Sequence, residues 1–191
     1  MFDLIIKNGS IYDGKGSEPY QADIGISNEK IVEIGDIKGE AKKVIDAEGK
    51  IVTPGFVDIH THYDGQVTWD PYLRPSTYHG VTTVVMGNCG VGFSPCKPDQ
   101  RDWLIGLMEG VEDIPGTALH EGIDWEWESF PEYFDALVKN AVAIDVGTQI
   151  PHGAVRAYVM GERGINHEEA SLEEIDEMKK IVLTDSEQTE N

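Results

Sequence analysis

Gly55-Phe-Val-Asp-Ile-His-Thr-His-Tyr-Asp64 is the stretch around which the rest of the chain is read. Val52 to Ile59 is rich in β-branched and aromatic residues, which predicts a buried strand. Side chains at i and i+2 of a strand point the same way. His60 and His62 therefore project together, on the face that also carries Asp58. Two neighbouring imidazoles at a strand's end can hold one divalent metal through neutral ring nitrogens. A lone histidine there would read as an ordinary polar terminus. The His-x-His pair behind the Pro54-Gly55 turn reads instead as a pair of metal ligands.

Outward toward the N-terminus, residues 2–53 contain short runs of β-formers. These are Leu4–Ile6, Asp23–Ile26, Lys30–Ile34, Lys43–Ile45 and Lys50–Val52. Asn8-Gly9, Asp13-Gly14, Ser27-Asn-Glu29 and Glu48-Gly49 separate them with turn chemistry. Residues 1–54 thus predict a small β module. Beyond Gly55 the pattern changes to strand, loop, helix. Val81–Met86 is a continuous apolar run of the kind buried on both faces in a parallel sheet. Helices are predicted around Asp99 to Gly110 and over Phe130 to Asn140, the latter with Tyr133, Phe134, Leu137 and Val138 along one stripe. Ala141–Val146 reads as a third apolar strand. Ser171-Leu-Glu-Glu174 has capping-box form and opens a helix with Leu172, Ile175, Met178 and Val182 at helical spacing. Such alternation makes this an α/β protein with a parallel sheet or a (β/α) barrel, assigned to residues 55–183, with a polar tail at 184–191. A complete barrel has eight strands and typically about 250 residues. Three strand signals after Gly55 predict only its first units.

Composition excludes several functions. The 191 residues carry a net charge of −20, and between Asp102 and Val138 there is no Lys or Arg against ten acids. Such a surface repels nucleic acid and anionic lipid. No apolar run is long enough for a membrane span. The N-terminus lacks the basic flank and apolar core of a signal peptide, so a cytoplasmic location is the default expectation. The two cysteines, Cys89 and Cys96, fit no structural zinc spacing, and a disulfide is not expected in a reducing compartment.

Val52-Thr-Pro-Gly-Phe-Val-Asp-Ile-His-Thr-His62 resembles the first barrel strand of the amidohydrolase superfamily of metal-dependent hydrolases. Gly80–Pro95 with its Asn-Cys-Gly turn, Ile123–Tyr133 and Pro151–Arg156 are similar to the D-aminoacylase branch, the N-acyl-D-amino-acid deacylases. The resemblance runs from Phe2 to about Val182. It implies the N-terminal part of a metal-dependent hydrolase (β/α) barrel, preceded by part of a β-sandwich. It also implies zinc as cofactor, a small-molecule N-acyl-D-amino acid as substrate, and His60, His62 and Cys89 as metal ligands. The general base, an Asp at the end of the last barrel strand, would lie outside this chain, as would the remaining histidine ligands. An amidohydrolase acting on cyclic amides, dihydropyrimidinase-like, is the alternative enzyme; it bridges its metals with a lysine, which the Asn88-Cys89-Gly90 turn argues against. The alternative from another class is a non-catalytic fragment. An incomplete barrel would expose a parallel edge, which invites a homo-oligomer or aggregation.

The residues themselves leave several roles open. Cys89 sits in the glycine-bounded turn Gly87-Asn-Cys-Gly90, where a thiolate can reach a metal, or it is a buried structural cysteine. Cys96 is read as structural. Asp58 and Asp64 are candidates to orient the histidines. His152, after the third strand, either lines the pocket or makes a structural hydrogen bond. His79 enters a strand at the end away from the chemistry, and His120 and His167 are placed in solvated polar loops. Glu109 to Ser129 is long for a βα connection, and long loops are often lids. Trp125 and Trp127 within it would either cover the pocket or anchor the loop.

Overall fold

Alternating β-formers and left-handed turns build the first unit, Met1–Gly55, of this computed structural model, which describes residues 1–188. The strands are β1 (Phe2–Ile11), β2 (Tyr20–Ser27), β3 (Lys30–Gly35), β4 (Ala41–Asp46) and β5 (Ile51–Val52). They form one sheet in the order β3-β2-β1-β4, with β5 also on β1. β1, β2 and β3 pair antiparallel, while β4 and β5 run parallel to β1. Asn28 and Glu29, with φ of 50° and 62°, make the two-residue hairpin between β2 and β3. Positive φ at both central residues matches the twist of the flanking strands. Ile5, Ile24 and Ile37 are buried in this unit, whereas Ile31, Val32, Ile34 and Val44 stay exposed.

The second unit, Phe56–Asn191, is a βα assembly. Its sheet is parallel in the order β6 (Phe56–Asp58), β7 (Val81–Met86), β8 (Asp145–Thr148). Phe56 lies opposite Val81, Val84 opposite Val146, and Met86 opposite Thr148. The helices are α1 (Arg101–Glu112), α2 (Gly116–Gly122), α3 (Phe130–Lys139), α4 (His152–Met160), α5 (Glu162–Ile165) and α6 (Leu172–Gln188). Val84 and Met86 of β7 join Phe93, Leu104, Met108, Leu119, Tyr133 and Ala154 in one core. Ser129 and Glu132 cap the start of α3 reciprocally, and Ser171 and Glu174 do the same for α6.

Several expectations need correction. The run Val52 to Ile59 is not one buried strand: β5 and β6 belong to different units, and Phe56, Val57 and Ile59 are 61%, 59% and 70% exposed. Among the described residues β6 is an edge strand, paired with β7. β7 buries Val84 and Met86 on one face, where Thr82 at its start is exposed, and leaves Val81, Thr83 and Val85 on the other face half-buried. The third strand begins at Asp145, not Ala141, because the Ala143 N–H donates to the Pro71 carbonyl instead of to a ladder. Val138 falls off the buried stripe of α3, and Phe130 takes its place. His120 lies in α2, not in a loop. α6 carries the expected polar tail as helix to Gln188; the rest of that tail, residues 189–191, lies outside the described residues.

Candidate metal centre

Parallel neighbours bring their carboxyl ends to one edge of the sheet, and the loops that leave that edge carry the chemistry of α/β folds. β6 ends at Asp58, and the chain then places His60 and His62. β7 ends at Met86 and runs into Gly87-Asn-Cys-Gly90. Gly87, Cys89 and Gly90 all have left-handed backbones, with φ of 75°, 55° and 74°. A β-carbon on Gly87 would come 2.1 Å from the Gln149 carbonyl oxygen, so only glycine lets this turn lie against the end of β8.

The turn delivers Cys89 to the histidines. His60 Nε2 is 3.2 Å from Cys89 Sγ, and the His60 and His62 rings are 5.4 Å apart at 59°. One ligand atom from each of His60, His62 and Cys89 lies within 4.8 Å of the others. His60 and Cys89 are exposed and His62 is half-buried, so the group is open to solvent on one side. Two imidazoles and a thiolate form a donor set suited to a borderline-soft divalent ion. Bonds of about 2.0–2.3 Å put tetrahedral ligand atoms roughly 3.3–3.7 Å apart, close to the 3.2 Å between His60 Nε2 and Cys89 Sγ.

Hydrogen bonds tie the two loops together. The Thr61 N–H and hydroxyl both donate to the Val85 carbonyl, at 3.0 and 2.9 Å. Asn88 Nδ2 donates to the same carbonyl at 2.8 Å and to the Thr61 carbonyl at 3.3 Å, while Gln149 Nε2 donates to Asn88 Oδ1 at 3.4 Å. These three residues escaped the reading of the sequence. The one signal that could have found them is an amide side chain inside a glycine-bounded turn.

The other sequence candidates take distinct places. Asp58 Oδ1 accepts the backbone N–H of His60 at 3.2 Å, so it holds the peptide rather than the ring. Asp64 is buried, and its backbone carbonyl accepts the Tyr133 hydroxyl at 2.7 Å. Burial, and secondarily the charge of Asp64, push the Tyr133 phenol well above its ordinary value. His152 is the first residue of α4; it is exposed and lines a groove of about 490 Å³ with Val155 and with Ile175 and Met178 of α6. It stands outside the three-residue donor group. Cys96 is fully buried, and burial pushes its thiol up to about 12. His79 closes the short turn leading into β7, at the end of that strand away from Cys89.

The tryptophans anchor. Trp127 is buried, and its indole N–H donates to the Phe93 carbonyl at 2.8 Å. Trp125 packs edge-on to Phe93, beside Trp127, with the Arg101 guanidinium over its other side. The segment they hold contains α2.

Known proteins resemble this chain in sequence and fold. D-aminoacylase of Alcaligenes xylosoxydans xylosoxydans is 34% identical over 160 residues, 83% of this chain and 31% of that protein. A crystal structure of D-aminoacylase, described as defining a novel subset of amidohydrolases, superposes with a TM-score of 0.81 at 30% identity, covering 98% of this chain and 37% of that one. N-acyl-D-glutamate deacylase from Bordetella bronchiseptica, crystallised with zinc and a phosphonate mimic of the tetrahedral intermediate, gives 0.75 at 31% identity over 94% of this chain and 35% of that one. The chain thus spans about a third of the length of these relatives. Among the described residues no helix is long and apolar enough to cross a membrane. The conserved pattern of the amidohydrolase family matches residues 43–188, taking in all three donors and most of the chain, and the chain belongs to that family of hydrolases.

Proposed function

We propose that this chain carries a metal-holding part of a zinc-dependent hydrolase that cleaves the amide bond of N-acyl-D-amino acids to a carboxylate and a D-amino acid. The observation that carries the reading is the convergence of His60, His62 and Cys89 within 4.8 Å, in a chain whose relatives include D-aminoacylase and N-acyl-D-glutamate deacylase. His60 and His62 offer neutral imidazole nitrogens, and Cys89 offers a thiolate. Asp58 steadies the peptide that leads into His60. Zinc bound there supplies Lewis acidity toward the amide carbonyl and lowers the pKa of water. With the three donors committed to the metal, the proton acceptor comes from another group, and the resemblance to the deacylases supports one outside these 191 residues. The 191 residues alone are therefore expected to be inactive.

The test is zinc stoichiometry together with release of free D-amino acid from N-acetyl-D-amino acids. Zinc bound by the chain and lost in His60→Ala, His62→Ala and Cys89→Ala supports the ligand assignment. Zinc binding indifferent to all three substitutions sinks it. Turnover by the chain alone, well above a His60→Ala control, would show that a complete site can form from this sequence.

A further inference from the structure

We infer that Asn88 is a positioning residue for this centre: its buried amide sets the distance between the His60–His62 loop and Cys89. The inference rests on the metal reading above but stands on separate observations. Asn88 is only 7% exposed, yet it sits beside an exposed donor. Its Nδ2 donates back to Val85, at the end of its own strand, and across to Thr61, the residue between the two histidines. Its Oδ1 accepts from Gln149, at the end of β8. Gln149 is fixed in turn by its backbone N–H to the Met86 carbonyl at 2.9 Å. One amide therefore joins the ends of all three strands of the sheet.

The sense of that amide follows from its neighbours. Two carbonyl oxygens face the nitrogen and a donor faces the oxygen, so the opposite flip would set like against like. A residue that merely finished β7 would need only the Val85 bond. The Thr61 bond crosses 27 residues of sequence to the peptide linking His60 and His62. The next residue is Cys89, whose backbone is held at φ 55°. Moving the amide moves the imidazoles relative to the sulfur, and partners that orient metal ligands typically contribute about 10–100-fold in metal affinity.

Asn88→Asp is the sharpest variant. It keeps the shape, removes both N–H donors, and turns a carboxylate oxygen toward two carbonyls. In the 191-residue chain, Co²⁺ titration followed by the thiolate-to-metal charge-transfer band should show affinity about 10–100-fold weaker and an altered band. In the metal-free chain, alkylation of Cys89 by iodoacetamide should change by about threefold or more, because thiol reactivity follows its immediate surroundings. Unchanged affinity, band and alkylation rate in a folded Asn88→Asp protein overturn the inference. Should the unmutated chain show no thiolate band, the metal reading fails by itself, and the alkylation arm still decides the role of Asn88. Should Asn88→Asp fail to fold by circular dichroism, Asn88→Ala is read by the same two measurements. Loss of fold in both variants assigns Asn88 to folding rather than positioning, and overturns the inference too.

Discussion

His60 Nε2 and Cys89 Sγ stand 3.2 Å apart although 29 residues of sequence separate them. The contact exists because β6 and β7 are parallel neighbours, so the loops leaving their carboxyl ends meet. The second cysteine has a different environment. Cys96 is fully buried, and burial holds it protonated at neutral pH. Cys89→Ala should therefore lower zinc content without changing the fold. Cys96→Ala should leave zinc content intact and cost about 1 kcal/mol, the scale of losing one buried heavy atom. Equal effects of the two substitutions on bound zinc would contradict this division.

Gly87→Ala should be severely destabilising, by about 2–5 kcal/mol, since it adds a left-handed backbone penalty to a clash. The clash is with the Gln149 carbonyl oxygen at 2.1 Å, which is backbone and has nowhere to move. Denaturant unfolding measures the loss. Gly16 has a similar φ of 80° but nothing within 4 Å, so Gly16→Ala should cost only the backbone part.

Trp127→Phe keeps most of the apolar bulk but leaves the buried Phe93 carbonyl without its indole donor. An unpaired buried acceptor costs about 1–3 kcal/mol. Trp127→Ala adds a cavity and should cost more, about 3–5 kcal/mol. Metal binding should survive Trp127→Phe, because Trp127 anchors the α2 segment and does not touch the donors. Loss of metal from a folded Trp127→Phe protein would show that the segment serves the site directly.

Tyr133 gives a prediction in pH. Its phenol is raised well above 10.0 by burial first and by the Asp64 charge second. The native state keeps this proton where the unfolded chain gives it up, so its contribution is full below about pH 10 and is lost as pH climbs toward the native value. Stability should fall through that alkaline window with a slope that Tyr133→Phe reduces. Tyr133→Phe should also cost about 1–3 kcal/mol at neutral pH through the abandoned Asp64 carbonyl. Parallel stability–pH curves for the two proteins above pH 10 would refute the burial account.

What could be read from the residues was local. Each strand of the first unit has its own run of β-formers, and Asn28-Glu29 is legible as a hairpin loop because only two residues intervene; Asn8-Gly9, read as a turn, is instead a bulge inside β1, with Asn8 at φ 60°. The Ser171–Glu174 capping box is equally local, and the Ser129–Glu132 box, not named from the sequence, has the same local form. The proximity of His60, His62 and Cys89 follows from strand ends in a parallel sheet, a pattern visible in the sequence; their role as ligands belongs to the proposal above. What escaped depends on register between distant segments. The run Ala141–Val146 does not reveal that Ala143 bonds to Pro71 and delays β8 to Asp145. The exposure of Phe56, Val57 and Ile59 goes with the edge position of β6 in its sheet among the described residues, not with their own hydrophobicity. The Thr61–Asn88–Gln149 bonds require three strand ends at one level, which no single stretch encodes.

The pairing order of the second sheet also carries a schedule. β2 and β3 are joined by a two-residue turn, and such hairpins close in about 1–10 μs. β6 must wait for Val81, and Thr83 must wait for Asp145, because parallel partners cannot be zipped from a turn. During synthesis the three proposed donors have emerged by Cys89, long before β8 and the Gln149 that braces Asn88. The donors can therefore meet on the growing chain early, while the brace that fixes their spacing arrives late. Nascent and finished chains should differ less in which atoms offer themselves to a metal than in how firmly those atoms are held.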